Sequence, residues 1–437
     1  MAVHDVTEVP ASPDPVPAAD GSGSPGTQPQ PRVVLHIGEP KTGTTFLQQV
    51  IWRNRAELAA RGVMLPGHHP QDHFRASQDL RGIPKLDSDP VGSWAGEWEI
   101  LARQARQAPR VAVISHELFS AADAQQAGRA ARSLQPADVH IVLTVRDIAS
   151  LLPAEWQETV KHRNTRGWRD WLADVIDRES CCDDRRQWWF WRVHDTLAIL
   201  DIWSRYVPAD RVHVIIAAPR RSSAGLLWER FASLLGVDPG SVDITRARPN
   251  SSLGMPEIEF LRRLNQALPD EVPDWFYMRN VKEVIAHRAL AARPRSGQLV
   301  LPADRDSWAR EQAETLIARL RDCGYDLIGD LDDLLPQPVT ELSASAADQP
   351  AELVLDAAVA AAAAMVTSQC RKEHPAARPQ ASPGVRGGLA GRVESTVASS
   401  PRLKRTVREL SSRHPAVRRL RILAWRALER SRARRRA

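Results

Sequence analysis

Residues 33–45 read Val33-Val34-Leu35-His36-Ile37-Gly38-Glu39-Pro40-Lys41-Thr42-Gly43-Thr44-Thr45. An apolar strand runs into a turn rich in glycine and threonine. A helix follows, with Phe46, Leu47, Val50, Ile51 and Leu58 at helical spacing. That order builds an anion cradle, because loop amides and the positive end of the helix converge on one point. An ATP-type loop needs G-x-x-x-x-G-K-[ST]. Gly38 and Gly43 keep the separation and Thr45 is in place, but Thr44 stands at the lysine position and the loop's lysine is Lys41. The loop suits phosphate, yet its lysine approaches from elsewhere on the arc. This argues against a standard ATPase or kinase.

Outward from the loop, short apolar runs at 111–114, 139–145 and 212–216 carry the pattern of buried parallel strands, and 62–66 is a shorter candidate. Helical patterns cover 94–107, 121–133, 148–163 (with Pro153 near the first turn), 222–235, 256–267, 276–291 and 307–321. Residues 66–92 are rich in Pro, Gly, His and Asp and read as a long loop, in which His68, His69 and His73 are solvated rather than metal ligands. Strands alternating with helices predict a three-layer α/β/α P-loop-type fold with a central parallel sheet, a helical C-terminal part and disordered termini. The expected organisation is a disordered segment 1–31, one domain over 32–336, an Ala/Ser/Pro-rich linker 337–400 with an isolated alanine helix at 351–366, and a basic tail 401–437.

The chain has 437 residues, 43% hydrophobic and 26% charged, the balance of a globular protein. No apolar run approaches the ~20 residues of a membrane span, and the N-terminus lacks the order of a secretory signal. These features predict a cytoplasmic protein without a transmembrane segment. Net charge is +6, but residues 401–437 hold 14 Lys+Arg against 2 Asp+Glu, which leaves −6 for the rest. The tail reads either as a basic helix on anionic lipid at the inner membrane face or on nucleic acid, with Trp425 at the interface, or as a plain solvated extension. Arginine outnumbers lysine 53 to 6, a bias of high-GC bacterial genomes. Cys181, Cys182, Cys323 and Cys370 show no metal spacing and are expected as free thiols, with no structural zinc. Trp168, Trp171, Trp188, Trp189, Trp191 and Trp203 read first as packing residues and second as a stacking platform for a sugar or aromatic acceptor.

Pro40-Lys41-Thr42-Gly43-Thr44-Thr45, followed by Phe46-Leu47-Gln48, resembles the 5′-phosphosulfate loop, P-K-[TS]-G-[TS]-[TS], of sulfotransferases that use 3′-phosphoadenosine 5′-phosphosulfate (PAPS). The resemblance spans about residues 32–336. It implies PAPS as co-substrate, no metal, and sulfuryl transfer to a hydroxyl or amine of a carbohydrate, glycolipid or secondary-metabolite acceptor. Ligands in such sheets bind beyond the carboxyl ends of the strands. The second of these ends gives Ser115-His116-Glu117 and the third Arg146-Asp147. Arg146 would fork onto the 3′-phosphate. Lys41 would neutralise the leaving phosphate, and Glu117 would take the acceptor proton. His116 is the alternative base, because neighbours at a strand end point opposite ways.

The family places a serine eight residues after the arginine; here Ala154 stands there. Ser150, Gln157 and Lys161 are the substitutes, with Ser150 first because it lies in the first helical turn. Arg248-Pro249-Asn250-Ser251-Ser252-Leu253 is similar to an N-x-S-L segment of bacterial sulfotransferase-like proteins, expected to close over the nucleotide or shape the acceptor mouth. Two other functions compete: a P-loop kinase, and a catalytically silent sulfotransferase-like scaffold acting through its tail.

Overall fold

The computed structural model describes residues 30–83, 94–177, 185–217, 224–247, 252–294, 297, 299–337 and 349–373. The expectations for the N-terminal segment before residue 30, for Cys181 and Cys182, for residues 248–251 and for the basic tail lie outside the described residues.

Among the described residues six strands form one sheet in the order β2-β3-β1-β4-β5-β6, parallel throughout. They are β1 Arg32–Gly38, β2 Val63–Met64, β3 Val111–Ser115, β4 Asp138–Val145, β5 Val212–Ile216 and β6 Asp326–Ile328. The protein is an α/β fold. Side chains alternate across the sheet, so Val33, Leu35 and Ile37 of β1 enter one core with Trp98, Phe119 and Trp203. Val34 enters a second core with Leu47, Trp228 and Phe231 on the opposite face. Both faces are covered, which is why these strands are apolar on both sides. The chain passes from β3 across to β4 on the far side of β1, so β1 ends at the reversal in strand order, where α/β sheets open a crevice.

A third apolar cluster sits beyond the strand ends. Leu152, Trp156 and Val160 of the helix Ile148–Lys161 pack there with Trp168, Trp171, Phe190, Ile258 and Tyr277. Trp168, Trp171 and Trp203 are buried, which settles them as packing residues; nothing is described of the side chain of Trp188.

Five expectations are corrected. The segment 66–92 is not a continuous loop, because Pro70–Leu80 is a helix. His69 accepts from the Gln71 amide, Asp72 completes a capping box, and Pro70 takes the first helical position. Its inner face is polar: Arg75 pairs with Asp72 at 3.1 Å, and buried His73 bonds Pro66 and Ser115 backbone atoms. A helix that buries Asp, His and Arg shows no apolar stripe, and His73 is a packed core residue rather than a solvated one. Burial holds its imidazole down, at about 4.

Pro153 lies inside the helix beyond its first turn, where it removes the bond to the Ala149 carbonyl. The alanine helix runs Ala351–Glu373 and is not isolated, since Val354, Ala357 and Ala361 are buried against Met255–Ala267 and the wide-turn helix Met278–Ala289. Its stretch Ala351–Arg371, of mean hydropathy 1.6, is long and apolar enough by length and composition to cross a membrane, contrary to the expectation that no run approaches that length.

Candidate functional site

The loop after β1 holds three left-handed backbone positions: Gly38 (φ 83), Lys41 (φ 63) and Gly43 (φ 98). Glycine takes this region freely, whereas lysine there is strained by roughly 1–2 kcal/mol. Thr42 fixes the turn from below. Its buried hydroxyl donates to the Glu39 carbonyl at 2.6 Å and lies 2.6 Å from the Thr144 hydroxyl of β4. Gly43 caps the helix Thr44–Arg53, whose first residues Thr44 and Thr45 face a cavity of about 450 Å³.

That cavity gathers most of the residues singled out in the sequence. Pro40, Lys41, Gly43, Thr44, Thr45, Glu117 and Arg146 all line it, and so does Ala154. Thr42 is instead buried beneath the loop. Ser252 and Leu253 reach the wall from the segment similar to N-x-S-L. Glu117 opens the short 3-10 helix Glu117–Ala121 and accepts from the Gln48 amide at 2.9 Å. Arg146 donates to the Lys41 carbonyl at 3.3 Å and stands 3.7 Å from Asp147.

Besides Thr42, two candidates fall outside the cavity wall. His116 caps the helix that follows it, its Nδ1 accepting from the Leu118 amide, and its ring packs on Phe74 at 5.4 Å. Burial lowers its basicity. Ser150 lies in the first helical turn, its amide donating to Asp147 at 2.7 Å, but it does not line the cavity either.

The charges that complete the site come from the helix Ile148–Lys161 and from the helix Met278–Ala289 opposite it. Glu158 accepts from Lys41 at 2.7 Å, from Lys161 at 3.3 Å and from Lys282 at 2.8 Å, and lies 3.2 Å from His162. Burial pushes Glu158 up, but His162 and the three lysines override it and hold the carboxyl well below its usual range. Lys41 is lowered by burial, but Glu158 and Glu155 reverse the sign, so its ammonium is held charged. Lys161 is lowered by burial and by its lysine neighbours, against Glu158. For Glu117, burial is overcome by His116, its own backbone, Gln48 and Lys41, and the net direction is down.

Four cations (Lys41, Arg146, Lys161, Lys282) thus face two carboxylates (Glu117, Glu158) in one cavity. A dianion or two separate phosphate groups suit this surplus, and Glu158 keeps the lysines from repelling one another. Lys161 was legible as a substitute donor, whereas Glu158 and Lys282 were not singled out. The available signal was lysine itself: a chain with 53 arginines spends three of its six lysines on this wall.

The loop also fixes a test of geometry. A Cβ on Gly38 would stand 2.5 Å from the Glu117 Cα, a backbone atom that cannot move aside cheaply. Gly38→Ala should therefore cost about 1–3 kcal/mol, read as a lower denaturation midpoint at unchanged slope. Gly82→Ala, where a Cβ meets nothing within 4 Å among the described residues, carries the φ penalty without the clash and is the control.

No protein-family model matches the chain, and no curated protein matches it. Among solved structures it is similar to a sulfotransferase from Alicyclobacillus acidocaldarius, at 16% identity and a TM-score of 0.34, over 59% of this chain and 96% of that one. A likeness of that degree decides nothing about activity.

Proposed function

We propose that the chain is a PAPS-dependent sulfotransferase acting on a hydroxyl or amine of a carbohydrate, glycolipid or secondary-metabolite acceptor. One observation carries the proposal: the P-K-T-G-T-T loop except its buried Thr42, four cations with Lys41 among them, and the carboxylates Glu117 and Glu158 line a single cavity at the ends of β1, β3 and β4. PAPS presents two anionic ends, and in this reading the four cations divide between them, with Lys41, Lys161 and Lys282 all converging on Glu158. Lys41 and the loop amides serve the phosphosulfate end. Arg146, Lys161 and Lys282 serve the 3′-phosphate, with the two lysines supplying what Ala154 lacks.

In this reaction the acceptor oxygen bonds to sulfur as the bond from sulfur to the 5′-phosphate oxygen breaks. Glu117, held ionised by its surroundings, takes the acceptor proton. Lys41 stabilises the charge growing on the leaving phosphate. The chemistry needs no metal. The basic tail on an anionic membrane surface or nucleic acid, and a cytoplasmic location, remain proposals of the same kind.

The test is calorimetry with adenosine 3′,5′-bisphosphate, the desulfated product, together with transfer of labelled sulfate from PAPS to cell-extract acceptors. Binding that weakens with salt and transfer that needs the acceptor are expected; the absence of both would end the proposal. Within it, Lys161→Gln or Lys282→Gln, each made singly, should weaken the bisphosphate by about 10–100-fold, since one lost charge-assisted bond is worth roughly 1.5–3 kcal/mol. Adenosine 5′-monophosphate, which lacks the 3′-phosphate, should lose much less. Equal losses for both nucleotides would move the two lysines off the 3′-phosphate.

A further inference from the structure

Behind the phosphate loop lies a second charged cluster that the transfer chemistry does not use. Glu39, between Gly38 and Pro40, is buried, and its carboxylate accepts from the Thr196 hydroxyl at 2.5 Å. His194, at the end of the helix Arg185–His194, stands between two carboxylates. Its Nδ1 is 3.7 Å from Glu39 and its Nε2 is 3.6 Å from Glu155. These are ion-pair distances rather than hydrogen bonds, and neither ring nitrogen has a hydrogen-bond partner among the described residues. The cluster borders a cavity of about 280 Å³, distinct from the first, and Arg146 lines both.

Beside a neutral ring the two buried carboxylates would have only the Thr196 hydroxyl, on Glu39, and the more distant Lys41 charge, on Glu155, to offset them, which is unfavourable. A charged ring removes the conflict. Burial pulls His194 down, but Glu155 and Glu39 override it and lift the imidazole to about 9. Glu155 moves down in response, whereas burial pushes Glu39 up against His194 and Thr196. Among the described residues the other charged groups acting on this cluster are Lys41 and Glu158, on the Glu155 side, Asp195, which caps the helix Thr196–Ser204, and Arg146 at the end of β4. Gln312 and Thr315, from the helix Asp306–Asp322, are uncharged. The Phe190 ring lies 4.8 Å from the imidazole.

The two carboxylates belong to the two halves of the anion site. Glu39 sits two residues before Lys41 in the loop. Glu155 adjoins Ala154 on the helix that carries Glu158 and Lys161. We infer that His194 is a positioning residue whose imidazolium straps the phosphate loop to the cation-bearing helix, holding Lys41 and Lys161 at a fixed separation for an anion. The inference rests on the loop being the phosphate site, but not on which nucleotide it takes. Because the ring's affinity for protons is higher in the folded state, the strap is complete below about pH 6.5 and is lost as pH rises through about 9.

The experiment compares the full chain with His194→Gln by amide hydrogen exchange of a peptide covering 38–47, without nucleotide, at matched pH values from roughly 6 to 10. Bisphosphate affinity is measured alongside. At neutral pH the variant's loop should exchange about tenfold faster and bind about tenfold more weakly, a one-unit change in each equilibrium. The two proteins should converge above about pH 9. Equal exchange at neutral pH overturns the strap. So does acceleration that is as large in β4 as in the loop, which would mark general destabilisation. Faster loop exchange in a protein that binds no bisphosphate upholds the strap and sinks the nucleotide instead. If His194→Gln does not fold, Glu39→Gln, which keeps the Thr196 contact and removes the loop's carboxylate, is read in the same way.

Discussion

Lys41→Ala should lower sulfuryl transfer by about 10²–10³-fold at saturating donor, the range found when one preorganised donor to a developing oxyanion is removed. The substitution isolates the ammonium unusually well. Position 41 has φ 63, which strains alanine much as it strains lysine, so the backbone term nearly cancels. Glu158 loses one partner at 2.7 Å but keeps Lys161, Lys282 and His162, so no buried carboxylate is stranded. The melting temperature should therefore change little while the rate collapses. Lys41→Arg should not restore it, because a planar fork cannot occupy the place of a compact ammonium between the loop and Glu158. An unchanged rate of labelled-sulfate transfer from PAPS in Lys41→Ala would remove the lysine from the chemistry.

The parts of this molecule that the sequence exposes are those where one residue type does one job. Strands β1, β3, β4 and β5 are legible because burial on both faces demands continuous apolar runs. β6 is three partly exposed residues at a sheet edge and carries no such run. The helix Pro70–Leu80 hides because it buries Asp72, His73 and Arg75, each matched by a partner from another part of the chain or from its own turn. Its composition is that of a loop; a local cap starts the helix and the tertiary bonds of His73 seat it.

The same division runs through the site. Lys41, Glu117 and Arg146 follow from one rule, that ligands collect at strand ends. Glu158 and Lys282 do not, because they come from helices beyond the sheet and meet only through packing of the third core. His116 and Glu117 could not be separated by position alone. What separates them is a cap: His116 spends its Nδ1 on the Leu118 amide and turns its ring to Phe74.

Glu117→Gln should leave bisphosphate binding within about threefold of the parent and lower transfer by about 10²–10⁴-fold, the usual contribution of a positioned general base. The amide is nearly isosteric and can still accept from Gln48, so the seat against Gly38 is kept. Only the proton acceptor is lost. The pH profile carries a second signature. Glu117 is held below the ordinary carboxylate value, so its basic form persists on acidification, and the rate should fall only as pH drops through that lowered value. A histidine base would instead fail on the acid side of its own pKa, and burial moves His116 down from 6.5 as well, so the profile alone cannot separate the two. The variants can. His116→Gln should retain most of the rate, since its ring does not face the cavity. Loss of transfer in His116→Gln with activity kept in Glu117→Gln would exchange their roles.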